Sequence, residues 1–172
     1  DEAYALYYPH SVIGLIDKYH NLVVIRTFSK ALGLASARLG FAIGDKTVIA
    51  GLQKVRPMYE TNAFAVLLEK LILDNFALIK LNLNKIIEGK AYLEGEVVKM
   101  GLKYYKSFSN FVNIDVGSYE KSVELVRYMR KRKILIGGGY QHRCLKNCIR
   151  VTAGTKLQMG KFLKELKIAL NK

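Results

Sequence analysis

The chain has 172 residues, of which 51% are hydrophobic and 24% charged, with 14 Gly and only 2 Pro; that is enough for one cored domain or two small ones, and it excludes collagen-like and low-complexity architectures. Net charge is +14 and unevenly placed, since residues 121–172 carry fourteen basic and two acidic side chains. No aromatic-interleaved or zinc-finger spacing accompanies that charge, so nucleic acid is not an expected partner.

Cys144 and Cys148 stand as C-x₃-C with His142 nearby. Two thiols make no disulfide framework, and no metal site is expected from them; they read as ordinary thiols of a reducing compartment. No apolar run reaches transmembrane length, so no membrane association is expected. No signal peptide opens the sequence. It begins Asp-Glu rather than with Met, which reads as part of something longer or processed.

In chain order, Leu22–Thr27 is a short β-branched run that predicts a buried strand. A small-residue stretch follows, and Arg38–Gly44 predicts a second strand bounded by glycine. Lys46–Lys54 predicts a short helix closed by Arg56-Pro57. Thr61 or Asn62 caps a helix running through Leu73. Apolar positions at Phe76, Ile79, Leu83, Ile86, Ile87, Tyr92 and Val97 predict one long helix over 76–99, ended by Gly101. Lys103–Ser107 and Asn110–Val116 then read as strands. Ser118 caps a helix from Tyr119 to about Arg132, and Lys133–Ile136 and Cys148–Thr152 read as further strands. The terminal helix, Lys156–Leu170, is expected to bury Leu157, Phe162, Leu163, Leu166 and Leu170, leaving Lys161, Lys164 and Lys167 in solvent. Strand–helix alternation thus gives way to a β-β-α-β-β-α unit: the edge of an α/β sheet, then a small α+β domain.

The segment richest in chemistry is Thr27-Phe28-Ser29-Lys30-Ala31-Leu32-Gly33-Leu34-Ala35-Ser36-Ala37-Arg38-Leu39-Gly40. A lysine in a hydroxyl-rich turn after a buried strand is placed for imine chemistry, because burial makes an amine less basic and more nucleophilic. The hydroxyls of Thr27 and Ser29, with the Arg38 guanidinium, are groups that clamp a phosphate. The residues alone leave open the plainer alternative of a solvated loop lysine.

This stretch resembles the cofactor-lysine motif of the class I/II aminotransferases, the fold-type I pyridoxal-phosphate enzymes, and most of all their histidinol-phosphate aminotransferase branch. The opening Asp1-Glu2-Ala3-Tyr4 is similar to that branch's D-E-A-Y, and Cys148-Ile149-Arg150-Val151-Thr152-Ala153-Gly154-Thr155 resembles the C-terminal R-[IV]-[ST]-x-G-T. The resemblance covers the whole chain but only the second half of the family's length. It implies the C-terminal part of a fold-type I α/β transferase: residues 1–75 in the large cofactor-binding domain, 76–99 a connecting helix, and 100–172 a small α+β domain.

The resemblance also implies roles. Lys30 matches the lysine that holds pyridoxal 5′-phosphate covalently and then shuttles a proton. Asp1 matches the carboxylate on the pyridinium nitrogen, and Tyr4 the phenol on the ring oxygen. Thr27, Ser29 and Arg38 match the phosphate clamp, and Arg150 the arginine that takes the substrate's carboxylate or equivalent anion. Tyr59 and Asn62 fall in a loop that lies near the family's dimer interface, although the residues by themselves read as a turn and an N-cap. Two positions depart from the pattern: Ser36 stands where glycine is usual, and Gly137 where arginine is frequent, which puts the substrate in question. The implied function is amino transfer between an anionic amino compound and a 2-oxo acid in a cytoplasmic homodimer. The alternatives are a decarboxylase of an O-phospho amino acid, like threonine-phosphate decarboxylase, and an inactive fragment or basic binding module. With only a few strands of the family's large sheet, the chain is expected to leave open edges and an uncovered apolar face.

Overall fold

The computed structural model describes residues 1–171. Its contacts divide the chain into two compact units, Asp1–Leu81 and Asn82–Lys172.

In the first unit, β1 (Val23–Thr27) and β2 (Gly40–Gly44) pair antiparallel, with Val23 opposite Gly44 and Thr27 opposite Gly40. The N-terminal segment lies along the other side of β1, where Glu2 N donates to Ile25 O at 2.8 Å. Val24 and Phe28 are buried, and the Phe28 ring meets Phe41 edge-on with centroids 5.8 Å apart. Helix α1 (Lys46–Val55) starts on Asp45, whose Oδ1 accepts from Thr47 N at 2.8 Å. It stops at Arg56, held extended as the residue before Pro57 must be. Helix α2 (Ala63–Asp74) is capped by Asn62, whose Oδ1 accepts from Ala65 N at 2.8 Å. Phe64, Leu67 and Leu71, at helical spacing along α2, are all exposed, Phe64 by 79%.

Helix α3 (Phe76–Lys99) contains the boundary between the units. It ends on Gly101 at φ 75°, which returns Leu102 N to Val97 O at 3.1 Å and so satisfies an end carbonyl. Its buried positions are Leu83, Gly89, Leu93 and Val97, whereas Ile87 and Tyr92 are exposed. The burial phase therefore differs from the expected one. It is set by Gly89, where a Cβ would stand 1.9 Å from Gly154 O.

The second unit is a three-stranded antiparallel sheet, β3 (Lys103–Tyr105), β4 (Phe111–Asp115) and β5 (Cys148–Thr152), with helices α4 (Tyr119–Lys131) and α5 (Lys156–Leu170). Leu93, Val97, Ile114, Met129, Ile149 and Leu166 meet in a core with no exposed surface. Ser118 caps α4, its Oγ accepting from Lys121 N, and Thr155 with Gln158 makes a reciprocal capping box at the start of α5. Ser122 is fully buried and ties three segments: its Oγ donates to Cys148 O at 2.8 Å and accepts from Gly139 N at 2.9 Å.

Two expectations need correction here. Lys133–Ile136 is not a strand. Lys133 adopts φ 61° as α4 ends, Ile134 N turns back to Met129 O at 3.0 Å, and only Gly137 bridges to Arg150. In α5 the capping box fixes the helical phase so that Met159 is buried and Leu157 is 72% exposed. Lys161, Lys164 and Lys167 are exposed. Among the described residues no helix is long and apolar enough to cross a membrane, and no group of three or more His, Cys, Asp or Glu is placed to hold a metal ion. Burial, reinforced by the Asp115 carboxylate, pushes the Cys148 thiol up from its ordinary value, which keeps it a neutral thiol.

Candidate active site

The turn after β1 is set by Phe28. Buried under the sheet, it donates from N to Leu39 O at 3.0 Å and accepts at O from Leu34 N at 2.9 Å, so both ends of the 28–34 loop are fixed. Inside that loop Gly33, at φ 75°, donates to Lys30 O at 3.1 Å. This close turn directs the Lys30 side chain outward, where it is exposed. Its Nζ lies 5.7 Å from the centre of the Tyr4 ring, and the described residues give it no ion pair.

Thr27 Oγ1 accepts from Ser29 N at 3.0 Å and stands 3.4 Å from Leu39 O. The two hydroxyl residues are therefore side by side immediately before Lys30. Arg38 follows the short 3₁₀ turn Ala35–Ala37, which contains Ser36, and takes φ 54°, a left-handed conformation uncommon for a residue with a side chain. Its Nη1 donates to Ala35 O at 2.9 Å, which aims the exposed guanidinium. Asn62 adds a link from α2, its Nδ2 lying 3.4 Å from Ala37 O. Tyr59 is 89% exposed. Asp1 is exposed, and its Oδ1 accepts from Ala3 N at 2.8 Å.

Six of the seven expected site residues thus share the first unit. Lys30 and Tyr4 meet directly, as do Thr27 and Ser29; Asp1 and Arg38 bond locally, to Ala3 and Ala35. Arg150 belongs to the second unit. It is exposed on β5, with its guanidinium 5.2 Å from the centre of the Phe111 ring.

One group escapes a reading of the sequence. Glu2 Oε2 accepts from Arg26 Nη2 at 2.9 Å and Nε at 3.1 Å, while Oε1 accepts from Val12 N at 2.8 Å. Ser11 Oγ donates to the same carboxylate and accepts from Arg26 Nη2 at 2.9 Å. Burial pushes the Glu2 carboxyl up, but Val12, Arg26 and Ser11 together outweigh it and hold the group below its ordinary value. Beside this pair is an apolar cavity of about 200 Å³, walled by Phe28, Leu32, Phe41 and Phe76. No local signal marks the partnership, because 24 residues separate the two ends.

The profile of the family described as Aminotransferase class I and II matches residues 1–166. The chain belongs to this aminotransferase family. Among curated relatives, the histidinol-phosphate aminotransferase of Clostridium novyi (strain NT) is 36% identical over 159 residues, which is 92% of this chain and 44% of that protein. Histidinol-phosphate aminotransferase 1 of Carboxydothermus hydrogenoformans is 33% identical, covering 96% of this chain and 46% of the relative. The solved structure of histidinol-phosphate aminotransferase from Sinorhizobium meliloti in complex with pyridoxal-5′-phosphate superposes with a TM-score of 0.85 at 27% identity, over 99% of this chain and 48% of that one. L-threonine-O-3-phosphate decarboxylase from Porphyromonas gingivalis shares the fold, with a TM-score of 0.84 at 24% identity, over all of this chain and 54% of that one. The aminotransferase chain described here therefore has the α/β architecture of fold type I, and it spans about half the length of the relatives it matches.

Proposed function

We propose that the protein carrying this chain is a pyridoxal 5′-phosphate-dependent aminotransferase. It would move an amino group between an anionic amino compound of the histidinol-phosphate kind and a 2-oxo acid. The observation that supports this most is the Lys30 turn. An exposed primary amine, next to the buried Phe28 anchor, lies 5.7 Å from the centre of the Tyr4 ring and follows Thr27 and Ser29, whose Oγ1 and backbone N are bonded to each other.

The donor set fits such a cofactor chemically: one amine for its aldehyde, hydroxyls, a backbone amide and a guanidinium for its phosphate, a carboxylate and a phenol for its ring. When bound, pyridoxal 5′-phosphate supplies the electron sink that lets a substrate Cα proton leave. Lys30 Nζ would hold the cofactor and, once the substrate's amine has freed it, would accept and return that proton. Asp1 keeps the ring nitrogen protonated through its negative charge, and the Tyr4 hydroxyl bonds the ring oxygen. Thr27, Ser29 and Arg38 hold the phosphate, and the planar fork of Arg150 takes the substrate's anion with two parallel hydrogen bonds. We assign residues 1–75 to the large domain, 76–99 to a connecting helix and 100–172 to the small domain. The working form we propose is a cytoplasmic homodimer, the family being generally dimeric.

The test is turnover by the full-length protein of L-histidinol phosphate with a 2-oxo acid acceptor. Amino transfer that depends on the acceptor supports the reading. Release of carbon dioxide from O-phospho-L-threonine without an acceptor assigns decarboxylation instead, and neither activity in a cofactor-loaded protein overturns both.

A further inference from the structure

Arg150 stands in a row that crosses one face of the three-stranded sheet. Its partner on β4 is Asn113, which in turn faces Tyr105 on β3. On its other side it bridges to Gly137, with Gly137 N to Arg150 O at 2.9 Å and Arg150 N to Gly137 O at 2.8 Å. Because both backbone groups of Arg150 are committed to Gly137, its pairing with Asn113 is of the non-hydrogen-bonded kind. In that kind the opposed side chains, which share a face, approach most closely.

The space beside Gly137 is already filled. A Cβ built there would lie 2.2 Å from Tyr140 Oη and 3.5 Å from Arg150 Cβ. The Tyr140 hydroxyl therefore fills the space, next to Arg150, where a side chain at 137 would otherwise stand.

Folding alone does not account for the polar groups of this row. Asn113 Oδ1 and Tyr140 Oη are both buried without a hydrogen-bond partner, an arrangement that folded proteins rarely tolerate. Arg150, cross-strand from Asn113, is given no carboxylate by the described residues and only the Phe111 ring. An oxyanion is the one further group that would pair with both the tyrosine hydroxyl and the guanidinium, while the asparagine oxygen needs a donor that the guanidinium itself carries. Such an anion would take two guanidinium N–H groups and the tyrosine O–H, leaving a guanidinium N–H for the asparagine oxygen.

We propose that Tyr140 and Asn113 complete, with Arg150, the site for the substrate's oxyanion, Tyr140 donating to the anion and Asn113 orienting the guanidinium. This rests on the reading of Arg150 as the substrate anchor. Tyr140 is then a specificity-determining contact, and Asn113 a positioning residue. The shared ligand chemistry is a carboxylate or a phosphate monoester.

The experiment is calorimetric titration of the full-length, cofactor-loaded protein with inorganic phosphate and, separately, acetate. The arm with the tighter binding identifies the oxyanion. Arg150→Ala is expected to abolish it. Tyr140→Phe, which removes one oxygen and keeps the ring, is expected to weaken it about tenfold, as loss of a charge-assisted hydrogen bond does. Asn113→Leu is expected to act similarly. Asn113→Asp keeps the shape but pairs with Arg150, and is expected to weaken anion binding more than Asn113→Leu does. In an Arg150→Ala background neither Tyr140→Phe nor Asn113→Leu should have further effect, since the three act as a unit. If Tyr140→Phe and both Asn113 variants bind like the wild type while Arg150→Ala does not, this inference is overturned and Arg150 acts alone. If Arg150→Ala binds both anions like the wild type, or the wild type binds neither, the anchor role of Arg150 fails as well.

Discussion

Glu2 and Arg26 close a two-pronged ion pair, with Oε2 at 2.9 Å from Nη2 and 3.1 Å from Nε. Asp1 and Tyr4 flank one partner in sequence, and Thr27, Ser29 and Lys30 follow the other. The pair therefore fastens the segment that bears the proposed ring contacts to the strand that bears the proposed cofactor lysine.

Glu2→Gln is expected to destabilise the full-length protein by about 1–3 kcal/mol, the range for removing a charged partner from a part-buried hydrogen-bonded pair. A shift of the urea midpoint measures this. The acid limb should change as well. The folded-state carboxyl is held below its ordinary 4.5, so its contribution is complete above that pH and is lost as pH falls through the folded value. Glu2→Gln should flatten the stability profile in that acid window and leave its slope near pH 8 unchanged. An unaltered acid limb would show that the carboxylate is not the group that titrates there.

Lys30→Ala should abolish amino transfer and the visible absorption of the bound cofactor. Lys30→Arg should fail equally, because a guanidinium offers no nucleophilic amine. Turnover retained in Lys30→Ala would show that Lys30 is not the cofactor-binding, proton-moving group.

Asp1→Asn should keep the cofactor bound but lower kcat by orders of magnitude, since the charge that keeps the ring nitrogen protonated is gone while most binding contacts remain. Comparing the cofactor dissociation constant with kcat separates the two effects. Parallel losses in both would assign Asp1 to binding rather than to the chemistry.

Gly89→Ala should be strongly destabilising, by several kcal/mol, because the new methyl would meet the Gly154 carbonyl at 1.9 Å and both backbones are held. Ser122→Ala is milder, about 1–3 kcal/mol, as it strands Cys148 O and Gly139 N without their shared partner. A thermal midpoint for Gly89→Ala close to that of the parent would mean that α3 can draw away from residue 154.

Much of this architecture was legible in the sequence because its signals are local. Asn62, Ser118 and the Thr155–Gln158 box announce helix starts through side chains that bond amides three residues on. Gly101 marks a helix end through a backbone angle other residues avoid. The errors arose where a backbone conformation or a distant atom overrides the side-chain pattern. Ile134, Leu135 and Ile136 have strand-like side chains, but the left-handed Lys133 carries the chain back onto Met129 before a strand can form. The burial phase of α3 follows Gly89, which carries no hydrophobic signal and faces a backbone 65 residues away. In the site, Lys30, Thr27 and Ser29 are contiguous and visible as a motif. Glu2 with Arg26, and Asn113 with Arg150, come together only through the tertiary fold and cannot be seen from composition or spacing.

The exposed row Phe64, Leu67 and Leu71 on α2 and the closed core of the second unit give the two halves unequal protection. In residues 1–172 by themselves, amides of β4 and β5 should exchange with solvent deuterium only through global opening, whereas those of β1 and β2, over a core as small as Val24, Phe28 and Ala65, should exchange through local opening. Of these two units, the proposed cofactor lysine sits on the one with the smaller core of its own. A ligand held there at a hundred times its dissociation constant adds about 2.7 kcal/mol to the state that binds it. Under the proposed function, cofactor occupancy and the folding of residues 1–81 are one linked equilibrium, so that saturating cofactor is expected to raise the protein's thermal midpoint.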